Sequence, residues 1–245
     1  MSISVIIPTL NEAPRLGALL GALGRETVGH EVIVVDGGSD DGTAARARQL
    51  GARVLETPPG RGGQLVAGAG AARGEVLFFL HADTRFPAGG LAAIERALAA
   101  DPGVVGGNFR VLFDGDDDFS RWLDGFYAWI RSHGFYYGDS GVFVRRRVYD
   151  ALGGIRPVEL MEDYDFNRRM EGFGKTVCIG DPALVSSARR FAGRRPVNIV
   201  TDWFLIHGLF HLGVPPGWLA KFYDSARRRR RTGDRPTQDL QAGLE

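Results

Sequence analysis

Four apolar runs of strand length alternate with segments of helical period in the first 83 residues, and that rhythm restricts the fold more than any other feature of the chain. Residues 4–8 form a short β-branched run. Leu16, Leu19, Leu20 and Leu23 then recur at helical spacing and mark one buried face. Residues 31–36 carry Val32, Ile33, Val34 and Val35, a stretch that suits a strand covered on both faces in a parallel sheet. A helix is expected from about Thr43, with Ser39 or Asp40 as its cap and Gly51 as its stop. Residues 53–56 read as a third strand, 64–73 as a helix of small residues, and 75–80 as a fourth strand holding Phe78 and Phe79. The order βαβαβαβ predicts an α/β domain built on an open, mostly parallel sheet with helices on both faces.

After Asp83 the rhythm changes. A helix over 88–100 is closed by Asp101, Pro102 and Gly103, and a strand over 104–113 follows, with Val105, Phe109, Val111 and Phe113 on one side. An acidic loop (114–118) leads into an aromatic helix around Trp122, Phe126, Tyr127 and Trp129. Strands are expected at 141–144 and 176–179, and helices at 147–152 and 163–172. From about Asn198 the texture turns aromatic and basic, so 1–197 is expected to form the main domain and 198–245 a C-terminal appendage, which suits a length of 245 residues.

Lysines and arginines number 30 against 29 acidic residues, a balance that argues against nucleic acid as the main partner. Cys178 is the sole cysteine, so no intramolecular disulfide can form, and its short apolar run points to a buried, inert thiol. Residues 1–4 show no basic leader, and a reducing, cytoplasmic compartment is the expectation. A spanning helix needs about 20 apolar residues. The uncharged stretch 203–220 is broken by Gly208, Gly213, Pro215 and Pro216 and contains His207 and His211. With Trp203, Trp218 and the arginine run 227–231, it suits peripheral contact with an anionic membrane surface, or packing on the main domain or on a second copy in a homodimer.

Open parallel sheets bind ligands beyond the carboxyl ends of their strands. The residues there are Thr9, Asn11 and Glu12 after the first strand, 36–40 after the second, Arg61 and Gln64 beyond the third, and His81, Ala82 and Asp83 after the fourth. Asp36 precedes Gly37 and Gly38, which let a ligand approach the backbone closely, and its carboxylate can accept hydrogen bonds from a nucleobase imide or a ribose hydroxyl. Helix capping is the competing role, but Ser39 or Asp40 can fill it. His81 and Asp83 stand two residues apart, so in a strand their side chains point the same way. A hard divalent cation on a diphosphate takes one or two carboxylates plus phosphate oxygens, which Asp83 fits. His81 as a ligand favours Mn2+ over Mg2+; a satisfied core histidine is the alternative. Arg61 and Gln64 offer a cation and an amide donor to phosphate or ribose, with a solvated arginine as the plain reading. Glu162, Asp163 and Asp165 open a helix, where the macrodipole favours negative charge. One of them is also placed to act as general base toward an acceptor hydroxyl, and one base without a covalent nucleophile predicts inversion. Asp139 and Ser140, just before Gly141, are candidates for the acceptor side.

Pro8-Thr9-Leu10-Asn11-Glu12, residues 35–43, His81-Ala82-Asp83 and Glu162-Asp163 together resemble the family 2 glycosyltransferases, over about residues 3–190. The resemblance implies a GT-A fold, an inverting transfer from a nucleoside diphosphate sugar to an acceptor hydroxyl, and a divalent cation, Mn2+ or Mg2+. It places Thr9, Glu12 and Asp36 around the nucleoside, Asp83 on metal and diphosphate, and Asp163 as the base; Pro8, Asn11, Arg61, Gln64 and Ala82 complete the donor side. Two departures stand out. His81 replaces the family's usual aspartate, and the Gln-x-x-Arg-Trp motif of processive synthases is absent, with Ser187-Ala188-Arg189-Arg190-Phe191 in that region. A single transfer is therefore favoured over polymerisation. His81-Ala82-Asp83-Thr84 and Gly138-Asp139-Ser140-Gly141 are also similar to a small bacterial subgroup associated with arsenosugar biosynthesis.

Other patterns fit less well. Gly68 to Gly74 hold several glycines, but these close a helix and precede a strand, the reverse of a dinucleotide fingerprint; close helix–sheet packing accounts for them better. The acidic run at 114–118 resembles the start of a calcium loop, but the sixth position is Phe119 rather than glycine and no glutamate stands at the twelfth. A sugar-1-phosphate nucleotidyltransferase would carry a glycine-rich loop with a basic end after the first strand, where this chain has Pro8 to Glu12. A non-catalytic sugar- or membrane-binding module would tolerate loss of Asp83 or Asp163, and both are present.

Overall fold

Burial on both faces dictates the centre of the sheet. In the computed structural model, which describes residues 1–191 and 193–221, strand β1 (Ile3–Thr9) lies between β2 (His30–Asp36) and β4 (Val76–Phe79), and β3 (Arg53–Glu56) lines the outer side of β2. All four run parallel, and the register sets Thr9 beside Asp36, so the carboxyl ends of β1 and β2 finish level. The crossovers are α1 (Ala13–Leu23), α2 (Thr43–Gln49) and α3 (Arg61–Ala71). Helix α1 buries Leu16, Leu19, Leu20 and Leu23, the face its spacing marks. The start of α2 differs from expectation: Asp41, not Ser39 or Asp40, accepts the Thr43 N–H (3.0 Å), because Gly42 takes a left-handed turn just before the helix.

The small residues of α3 bring it close to the sheet. A Cβ on Gly68 would lie 2.4 Å from Ile6 Cγ2 and 3.0 Å from Val35 Cγ2. Gly68→Ala is therefore expected to destabilise by about 1–3 kcal/mol through overpacking, despite alanine's better helix propensity. Urea unfolding should show a lower midpoint at unchanged slope; a midpoint at or above wild type would mean that α3 can simply move outward.

The second half contains α4 (Gly90–Ala100), β5 (Val104–Phe113), α5 (Asp118–Ser132), β6 (Val142–Arg145), α6 (Arg146–Ala151), α7 (Glu162–Phe173) and β7 (Lys175–Ser186). The sheet order is β3-β2-β1-β4-β6-β5-β7, with β6 antiparallel to both β4 and β5, and β7 parallel to β5. Strand β7 runs well beyond the expected 176–179, because it follows β5 through two register shifts. Alternate strand residues feed two apolar layers. Val5, Ile7, Phe78 and Phe143 meet Leu16 and Ile94 on one face; Ile6, Val35, Phe79 and Val144 meet Leu65 and Phe166 on the other. Cys178 corrects an expectation. It is exposed, because β7 is the edge strand of the sheet.

The chain divides into two compact units, residues 1–194 and a second that begins at Arg195. In the second, α8 (Pro196–His211) exposes Val197, Phe204 and Leu205 and ends in a turn at Gly213. Among the described residues no helix is long and apolar enough to cross a membrane. The arginine run 227–231 lies outside the described residues.

Candidate active site

The loops after β1 and β2 are knitted together by side chains from the two motifs. Asn11, in a left-handed conformation (φ 56°), donates its N–H to Ser39 Oγ at 2.8 Å, and its own Oδ1 accepts from the Asp40 N–H at 3.0 Å. The Glu12 N–H donates to Thr43 Oγ1 at 2.9 Å. Asp36 is 2% exposed and fully engaged. Its Oδ1 accepts from the hydroxyls of Thr9 (3.1 Å) and Ser39 (2.5 Å), and its Oδ2 from the N–H groups of Gly38 (3.2 Å) and Ser39 (2.8 Å). Four bonds use the capacity of a carboxylate. In this state Asp36 shapes the loop, and a nucleoside must take the place of one of these donors to reach it. Pro8 lies within β1, opposite Val35.

Gln64 is brought to the same edge but does not offer its amide to a ligand. Its Nε2 donates to the carbonyls of Thr9 (2.8 Å) and Val35 (2.7 Å), so both amide hydrogens tie β1 to β2. Burial to 4% exposure forces that pairing, since an unpaired amide there would be costly. Ala82 also turns inward and joins the apolar core, leaving its backbone alone available to a ligand.

Asp83 has a partner that the motifs do not reveal. Arg189, from the turn after β7, sets one guanidinium nitrogen 2.5 Å from Glu12 Oε1 and 3.3 Å from Asp83 Oδ2. A positive group thus bridges two carboxylates from the ends of β1 and β4. The sequence flags this arginine only as standing where a processive motif is missing. The turn is anchored by the Ala188 N–H on Asp114 Oδ1 (2.8 Å) and by Phe191 packed edge-on to Phe113, with ring centroids 5.8 Å apart.

His81 faces a different group. A Cβ on Gly138 would lie 2.9 Å from His81 Nε2 and 3.2 Å from Asp163 Oδ2, so imidazole and carboxylate flank one glycine. Asp163, 9% exposed, accepts the Gly138 N–H on Oδ2 (2.8 Å) and the Tyr164 N–H on Oδ1 (2.8 Å). Arg61 approaches the same Oδ2 at 3.3 Å and forms an ion pair with Glu162. The structure therefore aims Arg61 at the two carboxylates of α7. Burial pushes the Glu162 carboxyl above its ordinary value, and Arg61 offsets only part of that. Burial pushes Asp163 up as well, but Arg61, the two backbone N–H groups and His81 outweigh it and hold the carboxyl below the usual aspartate value. Of the adjacent pair, Asp163 is the one held below its ordinary value and Glu162 the one raised above it.

Asp139 and Ser140 are brought next to Asp163 in sequence-distant space, but both are buried at 3% exposure. Asp139 Oδ2 accepts from Tyr127 OH at 2.8 Å, and the Ser140 hydroxyl donates to the Tyr137 carbonyl at 2.5 Å. They fix the 3-10 turn Gly138–Ser140, whose first N–H holds Asp163.

The chain is similar to known proteins in sequence and fold. A PGL/p-HBAD biosynthesis glycosyltransferase of Mycobacterium tuberculosis is 31% identical over 202 residues, covering 75% of this chain and 72% of its own. An uncharacterized glycosyltransferase of the same organism is 34% identical over 110 residues, 44% of this chain and 49% of its own, so the chain spans about half the length of that curated relative. A mannosyltransferase from Pyrobaculum calidifontis, solved with GDP-Man and Mn2+, has the same fold, with a TM-score of 0.63 at 24% identity over 83% of this chain and 61% of that one. The model of the family described as glycosyl transferase family 2 matches residues 4–187, which take in the sheet from β1 to β7 and every strand-end motif described above. With its GT-A sheet and these motifs in place, the chain belongs to glycosyl transferase family 2.

Proposed function

We propose that this chain moves a single sugar from a nucleoside diphosphate donor to an acceptor hydroxyl, with inversion at the anomeric carbon. The observation that carries the reading is the division of charge at one end of the sheet. Glu12 and Asp83 share a cation's place, and Asp163 is a buried carboxylate held ionised. The loops after β1 and β2 supply polar groups for the nucleoside, with Asp36 reached by displacing the Ser39 hydroxyl.

The divalent cation that the family implies fits this donor set. The Arg189 guanidinium already occupies a position between two hard oxygen ligands, where a cation sharing a diphosphate needs only one or two carboxylates. Among the described residues no cluster of three or more candidate ligands exists, so Asp83 and Glu12 would hold the ion together with phosphate oxygens. When bound, Mn2+ or Mg2+ would neutralise charge building up on the departing diphosphate. His81, turned toward Asp163, favours the ionised base instead. Arg189, once released from Glu12 and Asp83, is free to follow the diphosphate. Asp163 takes the proton of the acceptor hydroxyl as that oxygen attacks, and Arg61 yields Asp163 while keeping Glu162. No second carboxylate is placed as a covalent nucleophile in this reading, hence inversion. The relative matched over 202 residues is named for PGL/p-HBAD biosynthesis, and the arsenosugar assignment finds no support in it.

Donor turnover with water tests this without a known acceptor. The protein would be mixed with a series of nucleoside diphosphate sugars and Mn2+, and the first-formed anomer of the released sugar read by NMR. A sugar released with the configuration opposite to the donor's supports the reading. Retention of configuration would contradict the mechanism.

A further inference from the structure

Helix α5 does not close completely on the edge of the sheet. Between it and strands β5 and β7 lies a cavity of about 490 Å³, within the range of small-molecule sites, about 300–1,000 Å³. The donor site does not use it. We propose that this cavity is the acceptor pocket, and that it takes a hydroxyl compound whose flat apolar body carries a carboxylate or phosphate; the assignment rests on the glycosyl-transfer reading above.

Three observations lead there. The first is charge: the lining includes Arg110 and Arg131 and no carboxylate. Arg131 is held in place, with Nε donating to Asn108 Oδ1 at 2.9 Å and the guanidinium 4.6 Å from the Tyr136 ring centroid. A fixed planar guanidinium with N–H groups to spare is suited to a carboxylate or phosphate. Arg110, exposed on β5, adds a second cation. The second is shape: the rings of Tyr127, Phe135 and Tyr137 wall the cavity, while Gly180 and Cys178 keep its β7 side low. Aromatic walls favour a flat apolar body. The third is position: Tyr137 and Ser140 line the cavity, and Gly138 between them donates to Asp163. Adjacent Cα atoms are about 3.8 Å apart, so the wall of the cavity and the anchor of the base are one turn of chain. Tyr127 ties α5 to that turn through Asp139. An acceptor held by its anion at the arginines keeps its hydroxyl end free to approach Asp163.

Cys178 provides a readout independent of turnover. It is the sole cysteine and lines the cavity; although the residue is exposed, the cavity wall partly desolvates its thiol and pushes its pKa up, so alkylation is followed at mildly alkaline pH. Saturating 6-hydroxy-2-naphthoate or 2-naphthyl phosphate is expected to slow labelling at least tenfold, with 2-naphthol at the same concentration giving little protection. Whichever anion protects at lower concentration identifies the group the pocket prefers. Arg110→Gln should weaken protection by about tenfold or more, the scale of a charged hydrogen bond. Ala128→Trp, from an exposed position on α5, should fill the cavity and abolish protection while nucleoside diphosphate binding persists. With donor present, the naphthoate hydroxyl should become glycosylated by wild type and not by Ala128→Trp. Failure of both anions to protect, or equal protection by 2-naphthol, overturns the pocket and leaves the donor reading standing. Protection without glycosylation, in protein that still turns donor over with water, overturns the acceptor role. Protection in protein that neither binds nor turns over any donor overturns the glycosyl-transfer reading and the acceptor role with it.

Discussion

Asp163→Asn is expected to lower the rate of sugar transfer by about 10²–10⁴-fold, the usual contribution of a positioned general base, with nucleoside diphosphate affinity nearly unchanged. Asparagine keeps the shape and one of the two acceptor contacts, those from the Gly138 and Tyr164 N–H groups, but cannot take a proton. The loss should fall on kcat, because Thr9, Asp36 and Asp83, the groups proposed to hold the donor, are untouched. Since Asp163 is held below the ordinary aspartate value, wild-type activity should stay on its plateau through neutral pH. Its acidic limb should lie below the range of an unperturbed aspartate. Donor turnover followed by nucleotide release, with the melting temperature of each variant beside it, separates a lost base from a lost fold. A variant that retains more than a tenth of wild-type kcat would show that another group takes the proton.

The second large effect concerns stability. Arg61→Met leaves Glu162 and Asp163 next to each other without their shared cation. Removing one partner of a buried ion pair costs about 3–5 kcal/mol; because Arg61 is itself one-third exposed, about 2–4 kcal/mol is expected at neutral pH. The sign with pH follows from the shifts. Without Arg61 both carboxyls move up, and Glu162 is already raised by burial. A carboxyl raised in the folded state favours the protonated fold, so its penalty grows as pH rises through the folded value and fades as pH falls below the unfolded one. Urea unfolding at neutral and mildly acidic pH should therefore show variant and wild type converging in acid. An equal deficit at both would mean that Arg61 acts by packing.

What the sequence discloses and what it hides divide along contact range. The leucines of α1, the strand over Arg53–Glu56 and the long strand Val104–Phe113 are legible because period and apolarity are local properties of a few neighbouring residues. The insertion of β6 between β4 and β5 is not, since nothing within Val142–Arg145 says which strands, tens of residues away, will flank it. The same holds in the site. Thr9, Asp36, Asp83 and Asp163 stand out because each closes, follows or opens a regular element. Arg189 does not, because its partner Glu12 lies 177 residues away and only the return of the chain after β7 brings them together. Gln64 shows the opposite error. Residue type and position near a strand end suggest a ligand contact, whereas the carbonyls of Thr9 and Val35, visible only in three dimensions, claim both of its donors.

In the proposed function a nucleoside diphosphate and a divalent cation meet at Asp83. The most direct measurement is thermal unfolding of wild type and Asp83→Ala with UDP, GDP, dTDP and CDP, each with Mn2+, Mg2+ or chelator. A ligand at a hundred times its dissociation constant stabilises by about 2.7 kcal/mol, equivalent to several degrees for a domain of this size. One diphosphate should raise the melting temperature of wild type only with metal, and Asp83→Ala should lose that shift. An unchanged shift in Asp83→Ala, or no shift with any nucleotide under any metal, would contradict it.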